Sequence, residues 1–402
     1  MRKKPRLIFI FLTIPIIAFT LIGGFLGRVA AREDIYRHLR IFEDVVSLIA
    51  DNYVQQTDLD KVMNGALQGL TNGLDSDSTY LSPAIVKTIE QTSNKATGHL
   101  GIEVVSQYYA QIVAVRDNSP ADEAGLMAGD YVRAINDETT RRLSSFEIEE
   151  RLRGQPESIV RLSLLRGNTS EPYDIELVRK NISIPELSSE ILHGDIGYLR
   201  IGHIADGFAN DLEELVATLE KQNLRHLVID VRNCAGGSLG EGVTAANLFL
   251  DEGTMLYRIE QGKEQFPIEA NSNKFITTLP MTLLTNYGTA DSAELFVSSL
   301  LSNGRAQSVG QRTAGRVSLQ KLVKLPDGSG LWLSWARYIK ASGQPLHRVG
   351  VEPTIDVEVP VVELGEPLPL KDMILEKALK TLQTETNVLE DRRVAQLVRA
   401  PR

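Results

Sequence analysis

From Ile184 to Val359, apolar runs with strand character alternate with helix-period segments, and no other feature restricts the fold of this chain as tightly. Strands and helices that alternate in this way bury their apolar sides against one another, which dictates an α/β core. Ile196 to Ile201 reads as a strand, and Gly207 to Lys221 as a helix with Phe208, Leu212, Leu215 and Leu219 on one face. His226 to Val231 reads as a buried strand that ends in the loop Arg232-Asn233-Cys234-Ala235-Gly236-Gly237, and a helix follows through Leu250. Leu283 to Gln320 then reads as strand, glycine turn, helix, strand and a second glycine-containing loop. That order sets side chains at a helix N-terminus opposite a loop, as a nucleophile and its base require. The residues that stand there are Asp291 and Arg316, and neither suits that chemistry. Gly330 to Tyr338 reads as a long strand, and Asp372 to Leu382 as a helix ahead of a loosely ordered tail.

The texture ahead of the core is different. Residues 31–95 carry apolar positions at helix spacing, with Asp58 as an N-cap, and the charges around Asp75 and Asp77 read as solvated turn residues. Residues 96–180 read as short strands and turns with two short helices, one capped by Ser144, which predicts a small β-sandwich. Before all of this, Arg2, Lys3, Lys4 and Arg6 precede an apolar run from Leu7 to Leu26, about the length that spans a bilayer. Cations ahead of the run keep the N-terminus in the cytoplasm and place the body outside. Residues 1–30 are therefore expected to be an uncleaved anchor in the inner membrane, with the body in the periplasm or cell exterior. A secretory signal cleaved near Val29-Ala30-Ala31 is the alternative.

Composition excludes several classes. A formal charge of −9 provides no basic face for nucleic acid. The one cysteine, Cys234, allows neither an intrachain disulfide nor a cysteine-built zinc site. Six scattered histidines show no ligand spacing, so neither a metal nor a cofactor is expected.

The motifs together resemble the carboxyl-terminal processing (tail-specific) peptidases of the S41 family. The residues that carry the resemblance are DVRNCAGG, NYGTADSAE, NGRA, GQRTAGRVSLQ, LPDGSGLWLSWARY and VGVEPTIDVEV, together with a PDZ-like stretch, SPADEAGLMAGDYVRAIND. The fold it implies is multidomain α+β. A membrane segment (1–30) and a helical region (31–95) precede a PDZ domain (96–180). An S41 peptidase-like core (184–360) and a C-terminal helix and tail (361–402) complete it.

In that family a serine attacks the scissile carbonyl and a lysine is its base. The family pattern Gly-Ser-Ala-Ser-Ala-Ser-Glu falls on Gly288-Thr289-Ala290-Asp291-Ser292-Ala293-Glu294, which puts Asp291 at the nucleophile position. Thr-Phe-Gly-Lys-Gly falls on Thr313-Ala314-Gly315-Arg316-Val317, which puts Arg316 at the base position; the accompanying glutamine is kept as Gln320. The family's Gly-Gly loop at the oxyanion site is kept as Gly236 and Gly237. The resemblance assigns a peptide's C-terminal carboxylate to the loop Gly98, His99, Leu100, Gly101 and Ile102, through exposed backbone amides.

The chemistry of the substituted pair can be judged without the family. A guanidinium stays protonated and has no acceptor, so Arg316 removes no proton. A carboxylate attacks an amide poorly. The two charges are complementary, and the pair is expected to form an ion pair where a dyad would sit. The expectation is therefore a homologue without peptidase activity that binds C-terminal tails of exported proteins, or an active homologous peptidase, with an oligomer as an accessible state. Two readings stand against it. One is an active serine endopeptidase in the cell envelope that trims protein C-termini, with Ser292 as a relocated nucleophile. The other is a structural envelope protein.

Overall fold

In the computed structural model, residues 36–75, 77–91, 98–141, 143–167, 169, 171–183, 185, 187–366, 369 and 371–384 are described. The expected membrane segment, Ser76 of the Asp75–Ser78 turn and the tail beyond residue 384 lie outside them. No helix among the described residues is long and apolar enough to cross a membrane.

The chain divides after Leu70. The first unit contains a helix over 36–52 and most of the helix Leu59–Asn72. As expected, Asp58 caps the latter, its carboxylate accepting from Lys61 N at 3.1 Å.

The second unit is built around a six-stranded sheet in the order Ile355–Asp356, Gln307–Gly310, Met281–Thr285, His226–Asp230, Ile196–Arg200, Ser188–Leu192. All neighbours are parallel except the last pair. Side chains alternate across the sheet, so Leu227 and Ile229 enter one core while Val228 enters another. The first core is filled by the helices Phe208–Glu220, Leu239–Asn247 and Ser292–Ser302, with Phe249 edge-on to Phe296 at 5.9 Å. The second is covered by the helix over 373–384 through Ile374, Ala378 and Leu382. Burial on both faces is why His226–Asp230 and Met281–Thr285 read as apolar runs.

A second, antiparallel sheet joins Thr79–Leu81, Gly330–Lys340, Thr254–Glu260 and Phe266–Glu269, with Ser318–Lys324 paired to the long strand. This corrects the helical reading of residues 31–95. Thr79–Leu81 is a strand hydrogen-bonded to Gly330–Trp332, and its residues are buried. Three residues are too few to show a period, and the partner lies far away in sequence.

Residues 98–180 also depart from expectation. One continuous sheet, in the order Ile102–Ser106, Ala110–Val115, Tyr131–Ile135, Ile159–Leu165, Tyr173–Val178, replaces the two stacked sheets of a sandwich. Its core is closed by helices, through Ala121, Ile148 and Leu152. The helix Ser145–Leu152 carries the expected cap at Ser144, completed into a capping box by Glu147. All six residues of Ala110–Val115 are buried because the strand has work on both faces. Ala110, Ile112 and Val115 fill this module's own core, while Val113 and Ala114 join Val105 against Ala235 and Ala290 of the α/β core.

Candidate active site

The strand Met281–Thr285 delivers the chain to a tight turn. Gly288 is required there, because a Cβ would lie 2.3 Å from Asn233 Oδ1. Asn286 Oδ1 fixes the turn by accepting from Asn233 N at 2.9 Å and Gly288 N at 3.0 Å. Asp291 follows with φ 53° and ψ −118°, and the helix Ser292–Ser302 begins immediately after it. A non-glycine residue held at positive φ between strand and helix stores strain on the order of 1–3 kcal/mol and projects its side chain from a sharp elbow.

Three groups converge on that side chain. Asp291 Oδ2 accepts from Gly236 N at 2.8 Å. Asp291 Oδ1 faces Arg316 Nε at 3.5 Å, an ion pair longer than a charge-assisted hydrogen bond. The backbones are joined as well, Asp291 N donating to Arg316 O at 3.0 Å. The expected pair therefore forms. Burial raises the Asp291 carboxyl above its ordinary range, against the pull of Arg316 and the Gly236 amide. Asp291 in turn raises Arg316, which stays a cation.

The Gly236–Gly237 loop adopts positive φ at both residues, and a Cβ on Gly237 would meet Ile204 O at 2.1 Å. Cys234 on the same loop is fully buried, and burial pushes its thiol up to about 12, so it is an inert apolar filler. His203 Nδ1 lies 3.1 Å from Ala235 O, which orients the ring at the loop's edge.

Ser292, the alternative nucleophile, is fully buried and donates to Gly236 O at 2.7 Å. Lys324 is engaged by Glu90, and Lys321 lies over the Trp335 ring at 5.6 Å. Gln320 stands on the strand Ser318–Lys324, where Oε1 accepts from Trp332 Nε1 at 2.9 Å.

Three acidic residues hold the site together beyond what the sequence suggested. Asp77 is buried, not solvated: Oδ2 accepts from Ser318 Oγ at 2.8 Å and Oδ1 stands 4.0 Å from Arg316 Nε. Asp75 is buried beneath it, with Oδ1 accepting from Asp77 N and Ser78 N at 3.0 and 2.6 Å. A side chain that caps its own turn is the local signal that was available. Glu294, one helical turn beyond Asp291, is fully buried and accepts from Thr313 Oγ1, from Gly315 N at 2.7 Å and from Arg316 N at 2.7 Å. Burial raises its carboxyl to about 7 although all three donors oppose this.

Arg316, Asp77 and Gln320 line a cavity of about 610 Å³ that runs on to Val104 and Ser106 of the strand Ile102–Ser106 and to Phe146 of the helix Ser145–Leu152. The strand Ile102–Ser106, the helix Ser145–Leu152 and Arg316 thus open on one space. The expected loop of exposed amides is corrected. Gly98 N donates to Gly154 O at 2.7 Å, His99 N to Lys180 O at 2.9 Å and Gly101 N to His99 Nδ1 at 3.0 Å, while Leu100 and Ile102 are fully buried. Folding has already satisfied these donors from within the module.

A small sheet-and-helix module thus sits beside a strand–elbow–helix and a Gly-Gly loop. Residues 195–357 match the family described as Peptidase family S41, and residues 111–166 match the PDZ domain. Residues 195–357 thus carry the pattern of the S41 peptidase family, and residues 111–166 that of a PDZ domain. Its homologues are carboxyl-terminal processing proteases. It is 26% identical over 396 residues to the carboxy-terminal processing protease CtpA of Bacillus subtilis, covering 96% of this chain and 84% of that one. It is 31% identical over 276 residues to the carboxyl-terminal-processing protease of Synechocystis sp., covering 68% of this chain and 64% of that one. The photosystem II D1 C-terminal processing protease shares the fold, with a TM-score of 0.69 at 21% identity over 79% of this chain and 92% of that one.

Proposed function

We propose that this chain is a tail-binding S41 homologue that no longer cuts peptide bonds. The observation that carries the reading is the placement of the Asp291 carboxylate, one oxygen on the Gly236 amide and the other toward Arg316. Acyl-transfer catalysis needs backbone donors left free for the anion that develops on the substrate. Here an anion of the protein already sits on one of them. The cation opposite has no lone pair with which to act as a base. Ser292 has its hydroxyl committed to Gly236 O, and Lys321 and Lys324 are engaged elsewhere.

On this reading the functional weight falls on the PDZ groove, which takes a tail by strand addition to Ile102–Ser106. Its partners are the C-terminal peptides of exported proteins or an active homologous peptidase, with which it forms an oligomer. The apolar run Leu7–Leu26 holds it at the cell envelope with the body in the periplasm or outside. Protein C-termini as the class of tail bound agree with the names of two relatives, carboxy-terminal processing proteases.

The test is restoration. Purified unmodified chain, Asp291→Ser, Arg316→Lys and the double variant are incubated with an unstructured protein substrate, and cleavage is followed by mass spectrometry. Turnover is expected in the double variant alone. Turnover by the unmodified chain that disappears in Ser292→Ala would overturn the reading in favour of an active endopeptidase.

A further inference from the structure

The loop assigned to a tail's carboxylate is occupied by an imidazole of the same chain. Gly101 N donates to His99 Nδ1 at 3.0 Å, so that nitrogen carries a lone pair and the proton of the neutral ring is on Nε2. Nε2 stands 3.1 Å from Glu149 Oε1 on the groove helix Ser145–Leu152, off the hydrogen-bond line. The His99 backbone is fixed by a two-way pairing with Lys180, N to O at 2.9 Å and O to N at 3.0 Å. Gly101, at φ 82°, is pressed so closely on Ser119 that a Cβ would lie 2.2 Å from its Cβ. Loop and ring are therefore held in register, and the ring bridges the groove strand to the groove helix. At the other end Ser106 N donates to Ser145 Oγ at 2.8 Å. A tail entering between Ile102–Ser106 and Ser145–Leu152 meets a contact across the groove at each end.

We propose that His99 is the latch of this groove: neutral, it holds the Gly101 amide and excludes a C-terminal carboxylate; protonated, it yields the amide and presents a cation to the carboxylate. The inference rests on the tail-binding reading above. An imidazolium is a donor at both nitrogens, so Nδ1–H and the Gly101 N–H would point at each other and the ring must move. The charged groups around the ring are themselves paired. Arg153 Nη2 holds Glu149 Oε1 at 2.9 Å. Burial pushes the Glu149 carboxyl up, but His99 and Arg153 together hold it below its ordinary value, so it stays ionised. On the strand side Lys180 Nζ reaches Glu123 at 2.9 Å, and Arg179 donates to Leu152 O at 2.8 Å and Arg151 O at 2.9 Å.

The experiment uses the full chain and a fluorescein-labelled decapeptide ending in valine, chosen for the apolar walls Val104 and Phe146, with its C-terminally amidated counterpart as control. Anisotropy is read at pH 7.5 and 5.5 for the unmodified chain, His99→Ala and His99→Asn. In parallel the Gly101 amide and the His99 ring nitrogens are followed by NMR. In the unmodified chain the free-acid peptide should bind about three- to tenfold tighter at pH 5.5, the equivalent of one net hydrogen bond, and the amidated peptide should not gain. His99→Ala should bind more tightly than the unmodified chain at pH 7.5 and lose the pH dependence. His99→Asn, which keeps an acceptor and cannot titrate, should bind weakly at both. The Gly101 amide signal should move with the His99 titration. A pH dependence that survives in His99→Ala, or a Gly101 amide indifferent to that titration, would overturn the latch. If no chain binds the peptide, the tail-binding reading falls and the Gly101 amide alone decides the latch.

Discussion

Glu294 and Arg316 are joined through the backbone and not through their opposite charges: Glu294 Oε2 accepts the Arg316 amide at 2.7 Å, and the guanidinium turns away to Asp291 and Asp77. The carboxylate one turn into the elbow helix thus positions the loop from which Arg316 reaches the site.

Substituting Glu294→Gln should be costly, because each oxygen accepts a backbone N–H, Oε1 from Gly315 and Oε2 from Arg316. An amide nitrogen in either place faces a donor, at a cost of about 1–3 kcal/mol. The variant should also lose a pH dependence. The folded-state carboxyl is raised to about 7 from an ordinary 4.5, so the native state keeps a proton that the unfolded chain has released. Its contribution is fully present below about pH 4.5 and is lost as pH rises through about 7, a decline of about 3 kcal/mol at most. Urea unfolding of both proteins from pH 4.5 to 8 checks this. A difference curve without slope would refute it.

Asp291 and Arg316 should be energetically coupled. Asp291→Ala leaves Arg316 with Asp77 at 4.0 Å as its remaining carboxylate and frees the Gly236 amide. A double-mutant cycle with Arg316→Ala should give a coupling of about 1 kcal/mol or more in urea unfolding, since the pair is only partly screened by solvent at 16% and 27% side-chain exposure. Additive single effects would show the pair to be incidental.

Cys234 should resist alkylation. Its thiol is fully buried and pushed up to about 12 by burial, so both access and thiolate are lacking at neutral pH. Iodoacetamide at pH 8 should modify it only on the timescale of unfolding, as followed by intact mass. Rapid labelling of the native chain would refute the burial.

Arg166 should be among the most sensitive positions of the PDZ module. It is buried and donates to Asp130 at 2.7 and 2.6 Å, to Gly125 O at 2.7 Å and to Val362 O at 2.9 Å. Arg166→Met strands the Asp130 charge and should cost about 3–5 kcal/mol. In limited proteolysis the segment around Val362 should then be cut sooner. Unchanged protection would show that the guanidinium does not hold it.

The α/β core could be read from the alternation of strands and helices, since local pattern and global packing agree there. The Asp291–Arg316 contact could be anticipated from two complementary charges placed where a nucleophile and its base would face each other. The strand Thr79–Leu81 could not be read, because its pairing partner supplies no local signal. Asp75 and Asp77 looked like turn residues in water, and they are turn residues; what the sequence concealed is that the turn lies beneath Ser318 and Arg316. His99 lies in a stretch that reads as a loop of exposed amides. That its own ring would take the loop's amide depends on a side-chain orientation no spacing rule reveals.

Thr79–Leu81 pairs with the strand Gly330–Lys340, and Ser334 N donates to Ser78 Oγ across 256 residues of chain. The PDZ module and most of the α/β core lie within the loop this pairing closes. A chain growing from its N-terminus must leave that edge strand unpartnered until residue 334 has been made. The corner that holds Asp77 against Arg316 is thereby among the last parts to close.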